Sequence, residues 1–148
     1  SNTKLGDKIS IPPFWIDMAK LFEFYVLGLL KDKYKSNVIF QFNANYGQPD
    51  YILVNERIII DAKYKPIYQT SYYDPENIRQ VSGYARDSKI YSLLNLDHNT
   101  VIDCLIIYPE KEHLPTNVVE QIDLSDKLPI DKFVRFYKLP VRLPKINK

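Results

Sequence analysis

Gln48-Pro49-Asp50-Tyr51-Ile52-Leu53-Val54-Asn55-Glu56-Arg57-Ile58-Ile59-Ile60-Asp61-Ala62-Lys63 is the stretch from which both fold and chemistry are read. It contains two β-rich runs, Tyr51 to Val54 and Arg57 to Lys63. The intervening Asn55-Glu56 suits a tight hairpin, although Asn-Glu is a weaker turn signal than Asn-Gly. Side chains alternate faces along a strand, so the second run puts Ile59, Asp61 and Lys63 on one face and Ile58, Ile60 and Ala62 on the other. A carboxylate and an ammonium group therefore project together where the most hydrophobic strand of the first half ends. A second carboxylate, Asp50, follows a proline just across the hairpin.

Upstream, apolar residues at 14, 15, 18, 21, 22, 25, 26, 29 and 30 have the spacing of an amphipathic helix, predicted from Phe14 to about Lys33. Val38 to Phe42 reads as a strand, and Asn43 to Pro49 as a loop. Downstream, Pro66 to Tyr73 reads as a tyrosine-rich loop. Asp74-Pro75-Glu76 has the form of a helix start, with Asp as cap and Pro at the first helical position, and the helix is predicted to reach about Leu94. Its apolar stripe uses Ile78, Val81 and Ala85, which leaves Gln80 and Tyr84 one turn apart on a different face. Val101 to Tyr108 is a buried strand. Val118 to Leu124 and Phe133 to Leu139 are read as further strands, with Pro115, Pro129 and Pro140 at sheet edges. The order describes an α/β domain with a mixed sheet flanked by helices.

The bulk properties agree with one folded domain: 148 residues, 45% hydrophobic, 26% charged and only four glycines. We expect residues 1–13 to be an amino-terminal linker or cloning remnant and 14–148 the domain, excised from the carboxyl-terminal part of a longer chain. A formal charge of +2 is too small to announce a nucleic-acid binder. The single cysteine, Cys104, excludes a disulfide framework within the chain, and the absence of long apolar runs or a signal pattern makes a cytoplasmic protein the expectation. His98 and His113 lie in polar segments without zinc-ligand spacing.

Phosphodiester cleavage needs an activated water, charge neutralisation on the phosphate and a stabilised leaving oxygen, all of which Mg²⁺ can supply through hard oxygen ligands. Asp50 and Asp61 are such ligands, with the carbonyl of residue 62 as an addition, and Lys63 is placed to orient or deprotonate water and to stabilise developing charge. The ordinary alternative is a strand-end salt bridge beside a turn. Glu23, at the margin of the first helix's stripe, is either a third carboxylate of the site or a boundary residue in solvent. Gln80 and Tyr84 are candidates to position Lys63, a metal-bound water or a phosphate oxygen, and otherwise are surface helix residues. Lys65, Arg79, Arg86 and Lys89 are candidate DNA-phosphate contacts, which a solvated helix face explains equally well.

Taken in order, Glu23, Pro49-Asp50, Asp61-Ala62-Lys63 and Gln80-Val81-Ser82-Gly83-Tyr84 resemble the PD-(D/E)XK nuclease superfamily over about residues 14 to 108. More narrowly, Leu21-Phe22-Glu23-Phe24-Tyr25-Val26, Ile60-Asp61-Ala62-Lys63-Tyr64-Lys65 and the Gln-x-x-x-Tyr helix are similar to the carboxyl-terminal nuclease domain of the McrC family, the cleavage subunits of modification-dependent restriction systems. The resemblance implies a restriction-endonuclease-like αβββαβ core and a catalytic set of Glu23, Asp50, Asp61, Lys63, Gln80 and Tyr84. It implies Mg²⁺, with Mn²⁺ as substitute, held by Glu23, Asp50 and Asp61, and cleavage of double-stranded DNA to 5′-phosphate and 3′-hydroxyl ends. It also implies a GTP-hydrolysing AAA+ partner of the McrB type, docked through a region outside this chain, and allows a nuclease dimer. Two alternatives stay open: a catalytically silent module of the same fold that binds DNA or a partner protein, and a metal-dependent phosphoesterase acting on RNA or nucleotides.

Overall fold

The computed structural model describes residues 17–145. The first helix, α1, spans Met18–Tyr34, and Asp17 caps it by accepting from the N–H groups of Ala19 and Lys20 at 3.0 and 3.2 Å. The helix therefore starts one residue after Asp17. Phe14 to Ile16 and the expected 1–13 linker lie outside the described residues. Phe22, Val26, Leu29 and Leu30 form the buried stripe of α1, at the helical spacing read from the sequence.

A six-stranded mixed sheet follows, built from β1 (Val38–Phe40), β2 (Tyr51–Leu53), β3 (Ile58–Ala62), β4 (Asp103–Pro109), β5 (Leu128–Pro129) and β6 (Phe136–Val141). The spatial order is β1-β2-β3-β4-β6-β5. β1, β2 and β3 pair antiparallel, β3–β4 and β4–β6 pair parallel, and β5 returns antiparallel along β6. The β2–β3 hairpin pairs Leu53 with Ile58, so its connection is the four residues 54–57 and not the two expected. Arg57 closes this longer turn with φ of 55°, and the weak Asn-Glu turn signal is consistent with that outcome.

The crossover from β3 to β4 carries two helices, α2 (Pro75–Tyr84) and α3 (Ser88–Leu94), where one was predicted. Asp74 caps α2 through the Glu76 N–H, as read. The break has the same chemistry: Asp87 takes extended backbone angles and accepts from the Lys89 N–H, which starts a new helix in mid-segment. The Pro66 to Tyr73 loop contains a 3-10 turn at Pro66–Gln69. It buries Tyr68, whose hydroxyl donates to Asn77 Oδ1 at 2.9 Å.

Helices cover both faces of the sheet. On one face α1 packs on Tyr51, Leu53, Ile58, Ile60, Leu105 and Ile107. On the other, α2 and α3 place Ile78, Val81, Ile90 and Tyr91 against Ile52, Ile59, Cys104 and Ile106. β3 and β4 are thus covered on both sides, which explains their nearly unbroken aliphatic sequence.

Two late strand expectations shift. Val118 to Leu124 forms no strand. Instead, Glu120 accepts from the Arg142 main-chain N–H at 2.6 Å and from its guanidinium at 3.1 Å, so side-chain bonds hold this segment where a ladder was expected. β6 runs from Phe136 to Val141 and contains Pro140. β5 is too short to reach that position, pairing only with Tyr137 and Lys138, so no second ladder requires an N–H from Pro140. No helix among the described residues is long and apolar enough to cross a membrane.

The α1 layer is fixed to the sheet by a polar bond as well as by packing. Tyr51, fully buried, donates its hydroxyl to the main-chain oxygen of Glu23 at 2.5 Å. Replacing Tyr51 by Phe is expected to cost about 1 kcal/mol by leaving that carbonyl without its partner. Urea denaturation should show a lower midpoint with an unchanged slope, and an unchanged midpoint would remove this bond from the account.

Candidate active site

The hairpin ladder ends at the Tyr51–Ile60 pair. One step beyond, the two aspartates take over the rungs with their side chains. The Asp50 N–H donates to Asp61 Oδ1 at 3.0 Å, and the Ala62 N–H donates to Asp50 Oδ2 at 2.9 Å. The main-chain oxygen of Asp50 accepts from the Gln41 N–H, and the Lys63 N–H donates to Ile107 O, both at 2.9 Å. Asp50 is thereby fixed between β1 and β3, and Lys63 continues the β3–β4 ladder.

Lys63 Nζ lies 3.3 Å from Asp61 Oδ2 and donates to Gln80 Oε1 at 3.2 Å. Gln80 Nε2 in turn donates to the Tyr84 hydroxyl at 3.2 Å. The i, i+4 spacing of Gln80 and Tyr84 therefore makes a chain from α2 to the lysine. Tyr84 differs from its expected place, because it is buried with Ile78 and Val81 and does not lie on a separate face. Its ring packs into the core while its hydroxyl alone reaches the site.

Glu23 arrives from the opposite layer. Its side chain is only 15% exposed and pairs with Lys20 Nζ at 3.1 Å, while its carboxyl lies beside Asp50. Of the two readings open from sequence, the structure places Glu23 at the carboxylate cluster and not in free solvent. It gets there because Asp50 sits at the end of β2, past the last rung of the hairpin, where the two sheet faces meet.

The electrostatics follow from this crowding. Burial, the neighbouring charge of Asp61 and a hydrogen bond shared with the Glu23 carboxyl together push Asp50 up to about 8, against the opposing pull of the Ala62 N–H. Burial also raises Asp61, opposed chiefly by Lys63. The Tyr84 hydroxyl is raised by burial and by the Asp61 charge. Lys20 offsets Glu23 and Lys63 offsets Asp61, and near neutral pH a proton on Asp50 supplies the remaining positive charge.

A hard divalent cation matches that deficit in charge and in donor type. Among the described residues no three His, Cys, Asp or Glu side chains are gathered into a cage. Mg²⁺ does not require one, since it characteristically keeps several waters and takes one or two carboxylates. Asp50 and Asp61 are the two residues whose carboxylate oxygens could hold such an ion, with the Glu23 carboxyl beside Asp50.

The four expected phosphate contacts separate into two pairs. Lys65 is tied to Asp74 at 2.7 Å, and Arg79 pairs with Glu76 along α2. Arg86 and Lys89 are exposed and make no ion pair among the described residues.

Sequence reasoning missed the supports of the β1–β2 loop. Asn45 donates its main-chain N–H to Asp87 Oδ2 and its side-chain Nδ2 to Asp87 Oδ1, each at 2.8 Å. Gly47, at φ of +134°, passes so close to Tyr84 that an added Cβ would lie 3.3 Å from the hydroxyl oxygen. The signal for Asp87 was present in Asp87-Ser88-Lys89, a cap pattern overridden by the apolar periodicity that continues through it. The partner Asn45 had no local signal. Comparison with family models, curated proteins and solved structures gives no match.

The raised Asp50 has a consequence for stability. Its carboxyl titrates near 3.9 in an unfolded chain and at about 8 in the fold. The fold therefore binds the extra proton, and Asp50's contribution is complete below about pH 4 and is lost as pH rises toward 8. The carboxylates held low, Asp74, Glu120 and Asp123, act in the opposite sense at more acidic pH, as they ionise below the ordinary range. In chelator, the melting temperature should fall between pH 5 and 8, and Asp50→Asn should flatten that fall and stabilise the protein at pH 8. Parallel wild-type and variant profiles would show that Asp50 carries no extra proton.

Proposed function

We propose that this chain is a Mg²⁺-dependent DNA endonuclease domain with a restriction-endonuclease-like core, similar to the cleavage domain of the McrC family. The convergence of Glu23, Asp50, Asp61 and Lys63 at the end of the β2–β3 hairpin carries this reading. The order helix, three antiparallel strands, crossover helices and parallel strand supports it at the level of fold.

Bound Mg²⁺ supplies charge neutralisation on the scissile phosphate and an activated water. The protein's own part is positioning. Asp50 and Asp61 are pre-oriented by main-chain N–H groups, so their carboxylates need little reordering to act as oxygen ligands. Lys63, fixed by Asp61 and Gln80, presents Nζ to the attacking water or to a phosphate oxygen, where its charge favours the pentavalent transition state. Gln80 is a positioning residue for Lys63, and Tyr84 holds Gln80. The McrB-like motor proposed as partner would act through chain outside this domain.

The test is hydrolysis of double-stranded DNA with Mg²⁺ or Mn²⁺, by the domain alone and with its motor subunit. Asp61→Asn and Lys63→Ala are expected to lower the rate by about a thousandfold or more. Gln80→Ala should lower it less, with kcat affected and DNA affinity kept. Wild-type cleavage by Asp61→Asn would refute the assignment. Binding of DNA with no hydrolysis under any of these conditions would favour the catalytically silent module, and preferential cutting of a matched RNA strand the broader phosphoesterase.

A further inference from the structure

The β1–β2 loop carries the most exposed aromatic residue among the described residues, Tyr46, at 96%. Exposed aromatic tips usually belong to loose loops, but this one is braced on three sides. Asn45 is bonded twice to the buried carboxylate of Asp87 and once to Ser88 Oγ at 3.2 Å. Ala44 and Gly47 bridge to each other, with the Ala44 N–H donating to Gly47 O at 3.0 Å. Gly47 lies against the Tyr84 hydroxyl. The ring of Tyr46 is thus held in water at the tip of a fixed turn, with no packing role to account for it.

Beside it runs an open groove of about 610 Å³ lined by Tyr46, Arg79, Gln80, Gly83, Tyr84 and Arg86. Gln80 and Tyr84 belong to the chain that positions Lys63, so the groove adjoins the candidate cleavage centre through these two residues. Asp87 also borders it, but its carboxylate is occupied by the Asn45 bonds and by the Lys89 N–H at 2.9 Å. The side chains left to meet a ligand are an aromatic face and the guanidinium group of Arg86, since Arg79 is paired with Glu76. Aromatic faces stack on bases, while guanidinium groups pair with phosphates.

The geometry points to Tyr46 as a base-stacking residue, with the groove between it and Arg86 holding the DNA strand that flanks the scissile phosphate. This rests on the nuclease reading for the identity of the strand, but not for its affinity. Because the loop is already ordered, stacking carries little ordering cost, and an unpaired or splayed base next to the cut site is the feature Tyr46 would select.

A single-stranded deoxyoligonucleotide carrying one 2-aminopurine, titrated with the protein in Ca²⁺ to prevent hydrolysis, tests the assignment. Wild type should quench the probe on binding, Tyr46→Phe should match it, and Tyr46→Ala should lose the quench and bind about tenfold more weakly. Asn45→Ala, which releases the loop without removing the ring, should fall between them. Equal affinity and quench for wild type and Tyr46→Ala, or no binding by wild type, would overturn the proposal. Hydrolysis in Mg²⁺, measured on the same variants, separates the two claims. Tyr46-dependent binding without cleavage would remove only the nuclease reading, and cleavage indifferent to Tyr46 would remove only this one.

Discussion

A buried and a half-buried carboxylate side by side at the end of a β-hairpin are the constraint around which the rest of this domain is arranged. Asp61 is 2% exposed and Asp50 faces it, in a position where an isolated pair of negative charges would be strongly unfavourable. The chain accommodates them in three ways. Main-chain N–H groups replace the lost hairpin rungs, Lys63 supplies one positive charge, and a proton on Asp50 supplies another. A hydrophobic pair at these positions would extend the ladder with less cost, so hairpin stability does not account for the two acids.

The surrounding architecture serves this point from both faces of the sheet. α1 brings Glu23, and its placement is fixed by the Tyr51 hydroxyl bond to the Glu23 main chain. α2 brings Gln80 and Tyr84, and its placement is fixed by the packing of Ile78 and Val81 on β3 and β4. The hairpin thus lies between the two layers, and the cluster forms at the end of β2. Glu23 from the α1 side meets Asp61 and the Gln80-bonded Lys63 on the α2 side at the end of the hairpin.

Much of this was legible in the sequence because strand alternation is local. The face shared by Asp61 and Lys63 follows from a period of two, and the Asp74-Pro75 helix start follows from capping chemistry that needs no tertiary information. What was not legible depends on distant partners. The Asp87 cap was hidden because the apolar pattern of α2 continues across it into α3. Val118 to Leu124 has strand-like composition, but Glu120 is engaged by Arg142, a pairing no local pattern announces. Tyr84 was assigned to the wrong face because an amphipathic tyrosine can bury its ring and still offer its hydroxyl to a polar site. Asn45 and Tyr46 lay in a segment read only as a loop, since the clamp that orders them lies 42 residues away.

The central claim is that the carboxylate cluster exists to hold a divalent cation, and calorimetric titration with Mn²⁺ at pH 7 in two buffers of different ionisation enthalpy measures it most directly. The account predicts saturable binding accompanied by proton release, because the ion displaces the proton that Asp50 carries. It predicts that Asp50→Asn loses the proton release and that Asp61→Asn loses the binding. Absence of binding heat in both buffers, or binding that neither substitution alters, would contradict it.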